Sequence, residues 1–295
     1  MTVQYPVQSK DRPQPHQGSI LVALVGTGIQ ASRTPELHET EGAALGLRYV
    51  YRLVDLEASG LEADALPEIV AAAQRFGFTG LNITHPCKQG IIPLLDRLSP
   101  DAEAIGAVNT VVFENGARVG YNTDWWGFAE SFKRELPGAA LDHVVQLGAG
   151  GAGAAVAYAL LTLGAGKVLL VDVEKQRAKD LAGALCSKFG TNRAEACNEI
   201  EEVLPSANGV VNTTPIGMAK YPGTPVSPDL LRKELWVADI VYFPLETEFL
   251  LAARALGCRT MSGGGMAVFQ AVAAFRLFTG REPDADRMLR HFSSM

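Results

Sequence analysis

Long apolar runs, basic clusters, closely spaced cysteines and paired histidines are all missing from this chain of 295 residues. No apolar stretch approaches the roughly 20 residues that span a bilayer, which excludes a membrane-spanning helix. There is no run of Lys and Arg and the formal net charge is −6, so nucleic acid is not an expected partner. The four cysteines, Cys87, Cys186, Cys197 and Cys258, show no C-x-x-C spacing and fit free thiols in a reducing compartment. The five histidines form no ligand pair at helical spacing, so no metal site is expected. Residues 1–18 are rich in Gln and Pro and lack the apolar core of a signal peptide; they read as a mobile tail. Asn82-Ile-Thr84 and Asn212-Thr-Thr214 match the glycosylation sequon, but without a secretory signal the matches are chance, and the expected address is the cytoplasm.

What the chain does have is alternation. The length suggests two domains, each able to bury its own core, and short apolar strands alternate with helical patterns from end to end, an α/β plan. Strands are expected over 19–26, 48–55, 79–83, 106–113 and 117–121, with a helix opening at Thr34-Pro35 and an amphipathic one over 61–76. From about 142 to 258 the pattern becomes strictly βαβ, over 143–147, 152–164, 167–172, 174–188, 209–213, 235–241 and 246–256. A last apolar helix, 266–279, is entered through Gly263, Gly264 and Gly265.

The glycine loop GAGGAG at 148–153 follows an apolar strand (Val144, Val145, Leu147) and opens a helical pattern. That arrangement aims backbone N–H groups and a helix N-terminus at a pyrophosphate, with Gly148, Gly150 and Gly153 at the dinucleotide spacing. The next strand, KVLLVD, ends in Asp172, about 20 residues past the loop, where an acidic side chain accepts hydrogen bonds from the ribose diol. Asp172, with Glu174 beside it, would repel a 2′-phosphate and so favours NAD over NADP, while Lys175 and Arg177 partly neutralise the site. The blander reading makes Asp172 a solvated loop residue.

In NITHPCK at 82–88, Pro86 suits a first helical turn and Thr84 or His85 its cap, which places Lys88 within that turn. A cation there opposes the helix dipole, a setting expected for an amine that serves as an acid/base. A surface lysine reaching solvent is the alternative. Asp124 in NTDWWGF either caps the helix beginning at Trp125 or orients the amine. Thr34 suits a cap with Pro35 at the first helical position, or joins Ser32 as a pair of hydroxyls for a carboxylate. Asn109 reads as a strand residue paired with a turn, and Gln270, alone on an apolar helix, needs a partner if buried.

Taken together, SRTPELHE (32–39), NITHPCK (82–88), GAVNT (106–110), NTDWWGF (122–128), GAGGAG (148–153), NTTPIGM (212–218), DIVYFPLETEFL (239–250) and GGGMAVFQAVAAFRLFTG (263–280) resemble the shikimate/quinate dehydrogenase family over about 19–293. The resemblance implies an N-terminal α/β substrate-binding catalytic domain (19–124) completed by the C-terminal helix (260–295), and a Rossmann NAD-binding domain (125–259). It implies Lys88 and Asp124 as the catalytic pair, Ser32 and Thr34 on the substrate carboxylate, and Thr84, Asn109 and Gln270 on the ring hydroxyls. Tyr242 would stand near the carboxylate and nicotinamide. The cofactor would lie along Gly148, Ala149, Gly150, Gly151, Ala152 and Gly153, with Asp172, Arg177, Thr213 and Pro215 also against it and Gly264 and Met266 lining the nicotinamide pocket. Three departures mark this chain. Thr34 replaces a serine of the biosynthetic members and looks like the quinate-using branch. Asp172-Val173-Glu174 replaces their phosphate-binding Asn-Arg-Thr. Phe243 replaces a frequent asparagine.

The expectation is an NAD-dependent dehydrogenase that oxidises the C3 hydroxyl of quinate and shikimate reversibly, with 3-dehydroshikimate among its ligands. It would need no metal and act as a monomer or homodimer in quinate catabolism, or in the shikimate pathway of aromatic amino acid biosynthesis. A shikimate-preferring or aminoshikimate-type member of the same family is the runner-up. A folate-type dehydrogenase has no support in the motifs, and a non-catalytic dinucleotide sensor would be expected to have lost Lys88 or Asp124.

Overall fold

The computed structural model describes residues 18–295, so the tail expected over 1–18 lies, but for Gly18, outside the described residues. The chain divides into two compact units, one running through Trp126 and resuming over Val268–Met295, the other Gly127–Ala267. The divisions fall inside two helices, Asp124–Glu135 and Gly263–Thr279, rather than in linkers.

The first unit is built on β1 (Ile20–Gly26), β2 (Tyr49–Asp55), β3 (Gly80–Ile83), β4 (Arg97–Leu98), β5 (Thr110–Glu114) and β6 (Ala117–Tyr121). Their order is β2-β1-β3-β5-β6-β4, with β5 antiparallel to both its neighbours. β1 and β3 are apolar and buried almost throughout, as parallel strands covered on both faces must be. Val70 and Ala73 of helix Leu66–Arg75 join Val25, Leu81, Ile83 and Val111 in one core. From Val268 onward the long helix Gly263–Thr279 belongs to this unit, and its Phe275 stacks on Tyr49 of β2, centroids 5.3 Å apart. Such a pair contributes about 0.5–1.5 kcal/mol beyond its burial.

The second unit is an all-parallel sheet of β7 (His143–Leu147), β8 (Lys167–Val171), β9 (Ala194–Ala196), β10 (Gly209–Asn212), β11 (Trp236–Asp239) and β12 (Arg259–Met261). The order β12-β11-β10-β7-β8-β9 reverses direction between β7 and β10. That switch point opens a crevice at the carboxyl ends of the strands, where doubly wound sheets take ligands.

Three sequence expectations shift. The strand expected over 106–113 begins only at Thr110, because Gly106 (φ 69°) ends a helix, Pro100–Ile105, that periodicity did not reveal in so short a segment. The helix expected over 61–76 starts at Leu66, with Pro67 in its first turn and a 3-10 turn before it. Gly263, Gly264 and Gly265 lie within the last long helix rather than ahead of it, since a Cβ on Gly265 would stand 2.1 Å from Ser131 Oγ. Among the described residues no helix is long and apolar enough to cross a membrane.

Candidate active site

One end of the first sheet gathers side chains from distant parts of the sequence. Thr110 opens β5 opposite both Asn82 of β3 and Tyr121 of β6. The segment after β3, which carries Thr84 and Lys88, therefore meets Asn109, just before β5, and Asp124, just after β6. Val108 N–H donates to the Lys88 carbonyl at 2.8 Å, tying the backbones together. Lys88 Nζ donates to Asp124 Oδ2 at 2.5 Å, and the two side chains are 18% and 8% exposed. A charge-assisted bond this short and this sheltered from water fixes the amine in place.

Lys88 does lie in a first helical turn, but the helix is the single turn Cys87–Gly90. Neither Thr84 nor His85 caps it: Pro86 holds that position with no side-chain bond, and the Thr84 carbonyl accepts the Cys87 N–H. Asp124 is likewise not a cap. It is the first residue of its helix, and Asn122 Oδ1 accepts the N–H groups of Asp124 (3.1 Å) and Trp125 (3.4 Å). The carboxylate is thereby released for Lys88 and for Asn109 Nδ2, which donates to Oδ1 at 2.8 Å. Asn109 also donates to Thr123 Oγ1 and accepts from Thr123 N–H and the Thr110 hydroxyl. Every polar site of its carboxamide is thus engaged within the protein.

The loop after β1 carries Ser32 and Thr34, both half-buried. Thr27 N–H donates to the His85 carbonyl, which sets this loop against the segment of Thr84. Asp55, at the end of β2, holds the loop from below by accepting from Gly28 N, Ile29 N and Gln30 Nε2, each at 3.0 Å. Burial opposes its charge, but the bonds from Gln30, Gly28, Ile29 and Ala58 outweigh it and hold the carboxyl below the usual carboxylate range. Thr34 is the first residue of helix Thr34–Ala44, not its cap; Arg33 occupies that position, and Thr34 N–H donates to Ser32 Oγ at 3.3 Å. Gln270 is half-buried on the first unit's part of helix Gly263–Thr279.

In the second unit the glycine loop links β7 to helix Gly151–Thr162, whose N-cap, Gly150, offers no side-chain bond. Its glycines divide by cause. Gly148 (φ 96°) and Gly153 are required by packing, since a Cβ on either would stand within 3 Å of Thr213 Oγ1, and one on Gly153 only 2.5 Å from the Gly148 carbonyl. Gly150 meets nothing within 4 Å. Packing gives no reason for a glycine there, but clearance for a ligand does. Asp172 follows β8, accepting from Ala149 N–H (2.6 Å) and Glu174 N–H (2.8 Å), so the acidic residue is bonded directly to the loop. Ala152 is half-buried; Arg177 and Pro215 are exposed. Thr213 follows β10 and donates to the carbonyls of Leu147 and Gly148. Tyr242 lies 44% exposed on the loop after β11, whereas Gly264 and Met266 are buried in the first turn of their helix.

The match to known proteins is decisive on this geometry. Residues 24–111 match the model of the shikimate dehydrogenase substrate binding domain, and 263–291 that of the shikimate 5'-dehydrogenase C-terminal domain. The chain is 59% identical to a shikimate dehydrogenase (NADP(+)) of Streptomyces avermitilis, over 95% of this chain and 97% of that one. It belongs to the shikimate dehydrogenase family. It is also 50% identical to a quinate/shikimate dehydrogenase (NAD(+)) of Corynebacterium glutamicum, covering 94% of this chain and 99% of the other. Among solved structures, a quinate dehydrogenase from Corynebacterium glutamicum in complex with NAD superposes with a TM-score of 0.88 at 49% identity, over 94% of this chain and 99% of that one. The protein is therefore a pyridine-nucleotide oxidoreductase acting on a CH–OH group, with the α/β substrate-binding and Rossmann-like parts of this dehydrogenase family.

Three supporting residues of this dehydrogenase escaped the sequence reading. Asn122 is the cap that frees Asp124, and the N-x-D spacing ahead of a helix is a signal that could have found it. Gln146, fully buried at the end of β7, donates to the carbonyls of Gly148 and Gly153 and clamps the glycine loop. A glutamine among Val144, Val145 and Leu147 needed an explanation. Asp239 accepts from Asn212 Nδ2 (2.9 Å), Val241 N–H (3.0 Å) and Thr247 Oγ1 (2.8 Å), joining the loops of Thr213 and Tyr242. Burial pushes its carboxyl up to about 6. Among the described residues no three His, Cys, Asp or Glu side chains are grouped to hold a metal ion.

Proposed function

We propose that this dehydrogenase oxidises the C3 hydroxyl of quinate and shikimate, reversibly, with NAD as its cofactor. The observation that carries the reading is Lys88 Nζ, held by Asp124, which is itself held by Asn109. Lys88 takes the hydroxyl proton during oxidation and returns it during reduction, and Asp124 keeps the amine aimed and balances its charge. Ser32 and Thr34, braced by Asp55, meet the substrate carboxylate, and Thr84 and Gln270 meet the ring hydroxyls. Asn109 orients Asp124, and a bond from it to substrate has to displace one of its present four.

Bound at the glycine loop, NAD supplies the hydride acceptor. The uncapped start of helix Gly151–Thr162 and the open space over Gly150 suit its pyrophosphate. The relatives' names divide between NADP and NAD, so identity does not choose the cofactor. Asp172 supports NAD: its oxygens each keep a lone pair for the ribose diol, and its charge, with that of Glu174, opposes a 2′-phosphate. A threonine at position 34 supports quinate as a substrate beside shikimate. The test is product analysis with quinate and NAD. One ketone at C3 for each NADH formed supports the reading; no turnover, or a ketone elsewhere on the ring, overturns it.

A further inference from the structure

Behind Asp124 runs a line of buried polar groups that the reaction itself does not call for. The Tyr51 hydroxyl, on β2, donates to Asn82 Oδ1 at 2.7 Å. Asn82 Nδ2 donates to Thr110 Oγ1 at 3.0 Å and to the Asn109 carbonyl at 3.2 Å. The Thr110 hydroxyl donates to Asn109 Oδ1 at 3.1 Å, and Asn109 Nδ2 to Asp124 Oδ1 at 2.8 Å. Tyr51, Asn82, Thr110 and Asn109 are each no more than 4% exposed. Every hydrogen in the line points the same way, toward the carboxylate that holds Lys88.

We propose that Tyr51 is a positioning residue for the Lys88–Asp124 pair, acting through this one-directional chain. The proposal rests on the reading of Lys88 as the acid/base. Its logic is one of donors and acceptors. A carboxamide has a donating and an accepting end; the Asn109 carbonyl, which can only accept, holds Asn82 Nδ2 on its side, and the Tyr51 hydroxyl meets the accepting end from β2. Asn82 Nδ2 then faces Thr110 and can only donate, so the Thr110 hydroxyl must send its own hydrogen onward. Asn109 Oδ1 at 3.1 Å receives it in preference to Thr123 Oγ1 at 3.5 Å. With Oδ1 engaged by that hydroxyl and by the Thr123 N–H at 2.7 Å, Asn109 keeps its Nδ2 on Asp124. Without the Tyr51 hydroxyl, the buried Asn82 oxygen loses that donor, and Asn82 is held less firmly against Thr110 and the Asn109 carbonyl. Aligned bonds in a water-free interior also polarise one another, so the far end feels the first.

Neighbouring Tyr49 provides the control. It lies on the same strand, is likewise buried and is hydrogen-bonded, but its hydroxyl pairs with His38 Nδ1 at 3.0 Å, off the chain. The experiment compares Tyr51→Phe, Thr110→Val, their double variant, Tyr49→Phe and Lys88→Ala by steady-state kinetics with quinate and NAD. Tyr51→Phe and Thr110→Val should each lower kcat about three- to tenfold with the KM for NAD unchanged. The double variant should be no slower than the slower single, because both cut one chain. Tyr49→Phe should keep the wild-type kcat. A wild-type kcat in Tyr51→Phe, an equal loss in Tyr49→Phe, or losses that multiply in the double variant overturn the proposal; should Tyr51→Phe fail to fold, a wild-type kcat in Thr110→Val does so. Lys88→Ala separates this from the reading beneath it: if that variant stays active, the acid/base assignment fails, whatever Tyr51 does.

Discussion

In the unit built on β1–β6 the groups at the end of the sheet are side chains, brought together from Lys88, Asn109 and Asp124 by strand register. In the unit built on β7–β12 they are chiefly backbone: the Gly150 turn, the start of helix Gly151–Thr162 and loop N–H groups, with Asp172 as the notable side chain. On the proposed function, the difference follows from two jobs. Moving a proton at one carbon needs one amine in one place, so a truncation there should be catastrophic for turnover and silent for nucleotide binding. Holding a pyrophosphate needs donors and clearance, so there it is added atoms that do harm.

The largest effect that sharpens this contrast is Lys88→Ala. Turnover should fall at least about a hundredfold, the usual scale for a positioned acid/base. NAD binding, followed by fluorescence titration, should stay at the wild-type affinity. Retained turnover would remove Lys88 from the proton transfer.

Adding a methyl to the glycine loop comes next. Gly150→Ala should leave the thermal midpoint unchanged and raise the KM for NAD roughly tenfold, the equivalent of about 1.4 kcal/mol, because its Cβ enters open space. Gly153→Ala should instead destabilise the fold by about 1–3 kcal/mol, because its Cβ runs into the Gly148 carbonyl. Thermal melts and NAD kinetics on both variants check the pair, and the reverse pattern would show that packing, not ligand clearance, keeps Gly150.

Buried carboxylates distinguish the units by pH. Asp55, in the first, is held below its ordinary value of 3.8, so its contribution to stability is present above that pH and lost as pH falls through the lowered value. Asp239, in the second, is raised to about 6, so its contribution is fully present below 3.8 and lost as pH rises through about 6. Melts of Asp55→Asn and Asp239→Asn against wild type should therefore diverge in opposite pH windows. The wild type should lose ground to Asp239→Asn between pH 4 and 6.5 (the window that about 6 implies) and to Asp55→Asn only below about pH 4. A flat Asp239→Asn difference would contradict the second half.

The smallest effect concerns Thr34. Quinate has a tetrahedral C1 and shikimate a planar one, so their carboxylates leave the ring in different directions. The β-branched threonine holds its hydroxyl in fewer rotamers than serine does, and on the proposed function its methyl would occupy space beside C1. Thr34→Ser should shift the efficiency ratio severalfold toward shikimate, the scale of one misplaced hydrogen bond at about 0.5–1.5 kcal/mol. Because Arg33 and not Thr34 stands at the helix N-cap, loss of a cap cannot account for such a shift. An unchanged ratio would remove Thr34 from substrate selection.

The α/β plan and the βαβ run were legible in the sequence because periodicity and the glycine loop are local signals. Lys88 and Asp124 could be named as candidates, but their meeting depends on the register between β3, β5 and β6, which no local pattern carries. The caps were misread for a related reason. Thr34 and Asp124 are good capping residues by type, yet each falls one position inside its helix, and at Asp124 the capping falls to Asn122. Asn82, Gln146 and Asp239 are polar residues in apolar strands whose importance the sequence did not show, because each depends on a partner from a distant part of the chain.

The most direct single measurement is kcat/KM of the wild-type protein for quinate and for shikimate, each with NAD and with NADP. Turnover of both acids, with NAD favoured over NADP by about tenfold to a hundredfold, is the expected result, since unpaired like charges at Asp172 and Glu174 cost on the order of 1–3 kcal/mol. Equal efficiency with the two cofactors, or no turnover of quinate, would contradict it.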